Sequence, residues 1–324
     1  MTVLYFVLIY LAQAGLTAAG ISYAPTGKWQ EAGDPDLCGK QYLCAPGNLT
    51  WVSEGSPTLF NVSNVCDSLV SAGVTSIDFH GDSYMRQIYA AILITLNGNY
   101  KNGSIADTQF ALQNGASKCN YHTQFAEKHC GVRSLNHGPR VCDGRVQLDP
   151  LLIGVDNLDK CRKAGNGSIV LFSWGNYPVA QGYRAGVNNP NAYAKFFEES
   201  GLCPNIRRRD EGRKRGNGSV QRKLRNRSMR PPCDFYWVST HYRLVAHFPD
   251  EKEEKVKAYN EKMRDFWESG ACGDVSYVDV YNMTAALGKN HHSVATSLSY
   301  DQVHWGMEVN LLKAQIILNA LVSG

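Results

Sequence analysis

Four short runs of apolar and β-branched residues, separated by helical and loop-forming segments, most limit the folds that this chain can adopt. The runs begin at Val74, Ser168, Phe235 and Val275. A charged helix is expected over 250–268, between the last two runs, and a strongly apolar segment over 307–321 is expected to be the last packed helix. Because strands that alternate with helices pair in parallel, this order predicts an α/β domain with a short parallel sheet.

A candidate nucleophile follows the first run directly. Gly81-Asp82-Ser83 stands between that run and a long apolar segment over 84–96, so Ser83 should lie where a strand gives way to a helix. A serine hydroxyl needs an imidazole to take its proton, and the imidazole needs a carboxylate that orients it. Asp301 lies three residues before His304, so a short turn can bring the carboxylate against one ring nitrogen. We therefore predict a catalytic triad of Ser83, His304 and Asp301.

Both motifs resemble a known superfamily. Gly81-Asp82-Ser83-Tyr84-Met85-Arg86-Gln87 and Asp301-Gln302-Val303-His304 are similar to the first and last blocks of SGNH/GDSL-type hydrolases. Within that superfamily the chain most resembles the PC-esterase branch, in which an arginine follows the serine by three residues, as Arg86 does here. This branch includes trichome-birefringence-like polysaccharide O-acetyltransferases, Cas1-type sialate and capsule O-acetylation proteins, and neurexophilin-and-PC-esterase proteins. The resemblance covers about 74–321 and implies a three-layer α/β/α SGNH-hydrolase-like domain.

The resemblance also implies donors for an oxyanion hole. The run that begins at Ser168 ends in Trp174-Gly175-Asn176, where the family places an asparagine that donates its amide to the oxyanion. Asn176 and the backbone N–H of Ser83 are therefore the expected donors. The alternative is that Gly175-Asn176 only forms a turn before Pro178. The glycine of the family's second block stays open among Gly98, Gly103 and Gly115.

Several features indicate the secretory pathway. An apolar run over 3–11, followed by small residues, predicts a signal peptide over 1–19, with an uncleaved anchor as the alternative. The ten cysteines are even in number and include no Cys-x-x-Cys, which favours disulfide bonds over a zinc site or a redox pair. Seven Asn-x-Ser/Thr sequons indicate glycosylation. A secreted or Golgi-lumenal, disulfide-bonded glycoprotein is therefore expected.

The chain divides into three parts on these criteria: the signal peptide, an N-terminal extension over 20–73 and the SGNH/PC-esterase-like catalytic domain over 74–324. The extension contains three cysteines and little periodicity, so we expect it to be held by disulfides and wrapped on the domain. A second loop-rich, cysteine-bearing insertion is expected over 98–149.

Histidines outside the triad are interpreted as structural or exposed. His122, His129 and His137 lie in the 98–149 insertion without the cysteine or acidic spacing of a metal site. His241 follows the run that begins at Phe235 and could line a cleft, but a hydrogen-bonded structural histidine is the favoured interpretation. Neither a metal ion nor a cofactor is expected.

Residues 207–230 carry eleven basic and two acidic residues with no apolar period, which predicts a disordered loop. The rest of the chain then has 22 basic and 27 acidic residues, so its fold is not basic although the whole chain carries +4. The loop also lacks interleaved aromatic residues, which argues against nucleic acid as a partner. Binding of an anionic glycan, proteolytic processing at Arg222-Lys223-Leu224-Arg225 and a solvated loop without a role remain alternatives.

These observations predict a serine esterase that acts on O-acetyl groups of a glycan through an acyl-enzyme. An acetylated carbohydrate is the expected partner, and no membrane-spanning segment is expected in the mature chain. If a sugar hydroxyl takes the acyl group in place of water, the same residues form an O-acetyltransferase. A non-catalytic, secreted glycan- or receptor-binding protein with the same fold is the third alternative. Which glycan is bound, which cysteines pair and how many copies associate stay open.

Overall fold

A seven-stranded, mostly parallel sheet runs through the protein. The computed structural model of the chain describes residues 22–39, 43–55, 57–98, 100, 140–150, 167–173, 203, 233–245, 252–299 and 302–323. The strands are β1 (Ser22–Tyr23), β2 (Gly27–Glu31), β3 (Leu49–Ser53), β4 (Ser76–Gly81), β5 (Arg140–Val141), β6 (Val146–Pro150), β7 (Ser168–Ser173), β8 (Cys233–Val238) and β9 (Val275–Val278). The helices are α1 (Pro35–Gly39), α2 (Val65–Ser71), α3 (Ser83–Asn97), α4 (Glu253–Glu268), α5 (Tyr281–Asn290), α6 (His292–Ser297) and α7 (Met307–Ser323).

The sheet has the strand order β1-β9-β8-β7-β4-β6-β5. Every neighbouring pair is parallel except β5 with β6, which form an antiparallel edge. The four runs singled out in the sequence become β4, β7, β8 and β9, which are adjacent in the sheet. The expected α/β fold with a mostly parallel sheet is therefore confirmed.

Successive residues of the middle strands join two different hydrophobic clusters. Ile169 and Leu171 of β7 pack in a cluster that contains residues of α3 and α7, whereas Val170 and Phe172 pack in a second cluster with residues of α4. This alternation follows from the pleat, which points consecutive side chains to opposite faces of a sheet. Both faces of β7 are thereby covered, which explains why its sequence is apolar throughout.

Helices α3 and α7 pack against each other and are buried on nearly every side. All residues of α3 from Tyr84 to Leu96 and all residues of α7 from Met307 to Leu321 are buried. A helix that is enclosed all round is mostly apolar on every side, and this accounts for the two long, largely apolar segments in the sequence. The two helices position the candidate site, because α3 begins at Ser83 and α7 follows His304.

The N-terminal extension packs on the domain through a hairpin that the sequence did not predict. Strands β2 and β3 pair antiparallel and form their own two-stranded sheet. The indole Nε1–H of Trp29 in β2 donates to the backbone oxygen of Met283 in α5 at 2.8 Å. Strand β1, which is also in the extension, pairs with β9 at the edge of the main sheet. The proposed domain boundary at residue 73 stays a prediction.

A second difference concerns the insertion expected over 98–149. Its end forms β5 and β6, and β6 pairs in parallel with β4 as a strand of the main sheet. Val146 and Leu148 are fully buried, while Gln147 between them is not. Such a short alternation is too weak a signal to separate from loop sequence.

Disulfide bonds are present, as the cysteine content predicted. They join Cys38 to Cys44, Cys66 to Cys142 and Cys203 to Cys272, and Cys233 is also disulfide-bonded. These bonds are consistent with a secreted or lumenal protein. In the described ranges, none of the helices combines the length and the apolarity needed to cross a membrane.

Some predictions fall outside the residues that the structure describes and stay predictions. These are the signal peptide over 1–19, the basic loop over 207–230, the histidines at 122, 129 and 137, and the glycines at 103 and 115. The remaining candidate, Gly98, adopts a left-handed conformation at the C-terminus of α3, where its N–H donates to the backbone oxygen of Ile94. It therefore ends the helix as a glycine cap.

Candidate active site

A sharp strand-to-helix turn presents Ser83. Strand β4 ends at Gly81, and Ser83 is the first residue of α3. Gly81 has φ of +149°, and a Cβ atom at this position would overlap the backbone oxygen of Ser173 in β7. Only glycine fits here without displacing the neighbouring strand. The turn is therefore fixed by close packing of two parallel strands next to Ser83.

Asp82 is the N-cap residue of α3. Its side chain accepts a hydrogen bond from the backbone N–H of Tyr84 at 3.0 Å, as N-cap residues do for the second helical position. The N–H of Ser83, the first helical residue, has no partner within the helix in such an arrangement. This N–H lies at the positive end of the helix dipole, where a developing negative charge is stabilised.

The structure brings Ser83 and His304 together. Ser83 Oγ lies 2.8 Å from His304 Nε2, although 221 positions separate the two residues. For the hydroxyl to donate to this nitrogen, Nε2 must be the unprotonated nitrogen, which leaves the ring proton on Nδ1. Both residues are partly exposed.

The loop that carries His304 is held by backbone contacts on both sides. The Ser299 hydroxyl donates to the backbone oxygen of His304 at 2.8 Å, and the N–H of Gly306 donates to the backbone oxygen of Leu298 at 2.6 Å. On the other side, the backbone oxygen of Gln302 accepts from the N–H of Leu244 at 3.0 Å. Gln302 has φ of +63°, a left-handed conformation that these contacts must maintain.

A buried histidine lies beneath this loop. His241 Nε2 is 2.9 Å from the backbone oxygen of Val303, and His241 Nδ1 is 2.9 Å from Lys313 Nζ. The ring also packs against Tyr84, with ring centroids 3.9 Å apart and ring planes tilted by 42°, and the Tyr84 ring meets the His304 ring edge-on at 5.5 Å. His241 and Lys313 are only 2% and 1% exposed, so both polar groups depend on these contacts.

The charge state of His241 follows from its surroundings. Burial, together with the nearby Lys313, Arg243 and His304, holds the pKa of His241 well below its ordinary value. The ring is therefore neutral. Since a carbonyl can only accept, Nε2–H donates to Val303, and Nδ1 is the acceptor of the hydrogen bond from Lys313. Burial also holds the pKa of the Lys313 ammonium well below its usual range.

Asn310 completes this polar cluster on α7. Its amide nitrogen donates to the backbone oxygens of Trp305 and Gly306 at 2.6 and 2.9 Å. Its amide oxygen accepts from Lys313 Nζ at 3.1 Å. Neither Asn310 nor Lys313 was predicted from the sequence as part of a site. The available signal was that Asn310 and Lys313 are polar residues three positions apart in a strongly apolar helix, which places them on one face.

The other residues singled out in the sequence are placed as follows. Arg86 and Gln87, which extend the serine motif, are buried on α3. Asp301 and Asn176, the expected orienting carboxylate and oxyanion donor, lie outside the described residues. Within the part of the chain that is described, no group of three or more His, Cys, Asp or Glu side chains could hold a metal ion.

Comparisons of the chain with protein-family models, with curated proteins and with solved structures found no match. The interpretation of this site therefore rests on its geometry and on the two sequence motifs.

Proposed function

We propose that the protein is a serine-dependent O-acetyl esterase that acts on acetylated glycans through an acyl-enzyme. The observation that carries this proposal is the 2.8 Å contact between Ser83 Oγ and His304 Nε2, at the first residue of a helix that follows a buried strand. A serine hydroxyl paired with an unprotonated imidazole nitrogen is the arrangement that activates serine for attack on an ester carbonyl.

In the proposed reaction, Ser83 Oγ attacks the acetyl carbonyl carbon while His304 Nε2 takes the hydroxyl proton. His304 then gives this proton to the sugar oxygen, the bond between that oxygen and the acetyl carbon breaks, and acetyl-Ser83 remains. Water attacks in the second half by the same route and releases acetate. Asp301 is assigned the orientation of the His304 ring, and the Ser83 N–H and Asn176 amide the stabilisation of the oxyanion.

Features of the fold support membership of the PC-esterase branch of SGNH/GDSL-type hydrolases. The nucleophile follows β4, an interior strand of the sheet, and the histidine precedes the last helix, as the two motifs of the superfamily would place them. The two hydrophobic clusters, one with α3 and α7 and the other with α4, support the three-layer α/β/α arrangement. The disulfides support secretion, and the Golgi lumen is the location proposed for a glycan-modifying enzyme.

A fluorophosphonate probe tests the nucleophile directly, because it forms a covalent bond only with an activated serine. We expect labelling of the secreted protein at Ser83, and loss of labelling in Ser83→Ala and His304→Ala. Ser293→Ala and His292→Ala are matched controls, since both residues are exposed on α6, and they should label like the unmodified protein. Labelling that survives in Ser83→Ala would contradict the mechanism.

Turnover of an acetylated oligosaccharide tests the remaining assignments. Ser83→Ala and His304→Ala should each lower hydrolysis by several orders of magnitude, and the double variant should be no worse, because the two residues act as one unit. Asn176→Ala should raise the barrier by roughly 2.7–4 kcal/mol if its amide is an oxyanion donor. Asp301→Asn should cost less than His304→Ala.

The same assay distinguishes hydrolysis from the alternatives. An unacetylated oligosaccharide added as acceptor would become acetylated if the acyl-enzyme transfers its group to sugar rather than to water. If no acetylated glycan is turned over and Ser83 is not labelled, the protein belongs instead to the class of non-catalytic glycan-binding proteins.

A further inference from the structure

We propose that His241 and Lys313 are positioning residues, which together hold His304 within hydrogen-bond distance of Ser83. This inference rests on the proposed function, because it assigns a role to residues that the triad mechanism does not use. Neither residue touches the reacting atoms in the proposed reaction. They act through the two segments that carry the candidate pair.

The His241 ring contacts both of these segments. The ring packs against the ring of Tyr84, the residue after Ser83 on α3, with centroids 3.9 Å apart and ring planes tilted by 42°. The ring edge donates from Nε2 to the backbone oxygen of Val303, the residue before His304. A single planar side chain therefore connects the neighbour of the nucleophile with the neighbour of the base, and its position determines the spacing between Ser83 and His304.

Lys313 fixes the orientation of that ring. Its Nζ donates to His241 Nδ1 at 2.9 Å, which ensures that Nε2 keeps the ring proton and points it at Val303. The same Nζ donates to Asn310, whose amide in turn holds the backbone oxygens of Trp305 and Gly306. The hydrogen bonds therefore reach the His304 loop on both sides of His304, from Val303 and from Trp305.

The surroundings of the pair keep the ring in the state that this role requires. Among the residues that the structure describes, the ionisable groups that lower the pKa of His241 are Lys313 on α7, Arg243 on its own segment and His304 on the loop, and these three are all basic. Protonation of His241 would turn Nδ1 into a second donor that faces the Lys313 donor. The ring therefore stays a neutral donor and acceptor, and its hydrogen bond to Val303 keeps one direction.

The test must separate positioning from simple stabilisation. His241→Phe keeps a ring against Tyr84 but removes both hydrogen bonds, and it leaves the Lys313 amine buried with fewer partners, so it can fail to fold. The double variant His241→Phe with Lys313→Met replaces the pair by apolar groups of similar shape and avoids that problem. Gln315→Met is the matched control on the same helix, because Gln315 makes two hydrogen bonds to the backbone of Phe60, away from the His304 loop.

Three measurements on folded protein are compared: the rate constant for fluorophosphonate labelling of Ser83, kcat and KM for an acetyl ester, and the ¹⁵N chemical shift of His304 Nε2. We expect the double variant to lower the labelling rate and kcat by roughly tenfold to a hundredfold, the loss that small misplacements of reacting groups produce, with KM little changed. The Nε2 shift should move toward its value in Ser83→Ala. Gln315→Met should lower the melting temperature while it leaves all three measurements unchanged.

Failure of the positioning role and failure of the proposed function give different results in these measurements. If the double variant has the labelling rate, kcat and His304 Nε2 chemical shift of the unmodified protein, the positioning role is overturned. An equal kinetic loss in Gln315→Met overturns it as well. If the unmodified protein is not labelled at Ser83, the proposed function fails, and the His304 chemical shift still decides whether His241 and Lys313 hold the two side chains together.

Discussion

At the scale of single residues, Gly81 sets the position of the candidate nucleophile. Its φ of +149° and its contact with the backbone of Ser173 exclude a side chain. We expect Gly81→Ala to lower the free energy of unfolding by at least about 2 kcal/mol, as strained backbone and steric overlap combine, and to lower labelling of Ser83 because α3 shifts relative to β7.

Gly33→Ala is the control for this change, since no atom lies within 4 Å of the added methyl group and its φ is unstrained. Chemical denaturation of the two variants measures the difference in stability. A Gly81→Ala protein as stable as Gly33→Ala would show that β4 and β7 can separate without cost.

The lowered pKa of His241 predicts how the free energy of unfolding depends on pH. The pKa of the folded protein's His241 lies well below the ordinary 6.5, so the unfolded chain binds the extra proton as pH falls through 6.5. Folding should therefore lose up to about 1.4 kcal/mol per pH unit below that value, until the folded-state pKa is reached.

Thermal unfolding between pH 7.5 and pH 5 tests this expectation. The double variant His241→Phe with Lys313→Met should lose less stability over this interval than the unmodified protein, because it lacks both buried basic groups whose pKa values burial lowers, while the remaining titrating groups are common to both. Parallel curves for the two proteins would contradict the buried, neutral state of His241.

At this scale, Ser83 and His304 could be predicted because each stands in a short motif with a chemical requirement. The sequence indicated that His241 is structural but not that it links Ser83 with His304, since its contact with Tyr84 depends on how β8 and α3 meet in space. Lys313 and Asn310 lie in a segment that was interpreted only as a packed apolar helix. Lys313 contacts His241 and Asn310 contacts the 302–306 loop. Both contacts depend on tertiary packing, which a local sequence pattern does not indicate.

At the scale of elements, the strands and helices that are buried on all sides were predicted from the sequence. Strands β4, β7, β8 and β9 and helices α3 and α7 were anticipated because complete burial demands continuous apolar sequence. The β2–β3 hairpin and strand β6 were missed because their residues alternate only briefly. The connection between β2 and β3 is also far longer than a tight hairpin turn, so it carries no turn signature.

Two disulfides permit a prediction about the stability of these elements. Cys66–Cys142 joins α2 to the turn between β5 and β6 across 76 positions, whereas Cys38–Cys44 closes a separation of 6. Chain entropy then assigns about 4.5 kcal/mol to the first bond and about 2 kcal/mol to the second.

Replacement of both cysteines by alanine in each pair, followed by guanidinium unfolding, measures these losses. The Cys66–Cys142 variant should be the less stable of the two. Equal losses would mean that the unfolded chain is already compact near residue 142, so that the long bond restricts it little.

At the scale of the whole molecule, basic residues are concentrated in one segment of the sequence. The 207–230 segment, between Cys203 and Cys233, carries enough basic residues to reverse the sign of an otherwise acidic chain. Both flanking cysteines are buried and disulfide-bonded, so a short Gly/Ser linker in place of the segment should leave the melting temperature unchanged. Loss of secretion or a large drop in melting temperature would show that the segment packs on the domain.

The 221 positions between Ser83 and His304 also bear on when the proposed reactivity would first arise during folding. Contacts between distant parts of a chain form late, because the entropy of closing the loop is lost before the contact stabilises anything. Strand β4 and helix α3 can assemble early from neighbouring residues, and at that stage Ser83 is an ordinary alcohol. In the proposed mechanism, Ser83 is activated only when the 302–306 loop docks, so we expect that a partly folded intermediate does not form an acyl-enzyme.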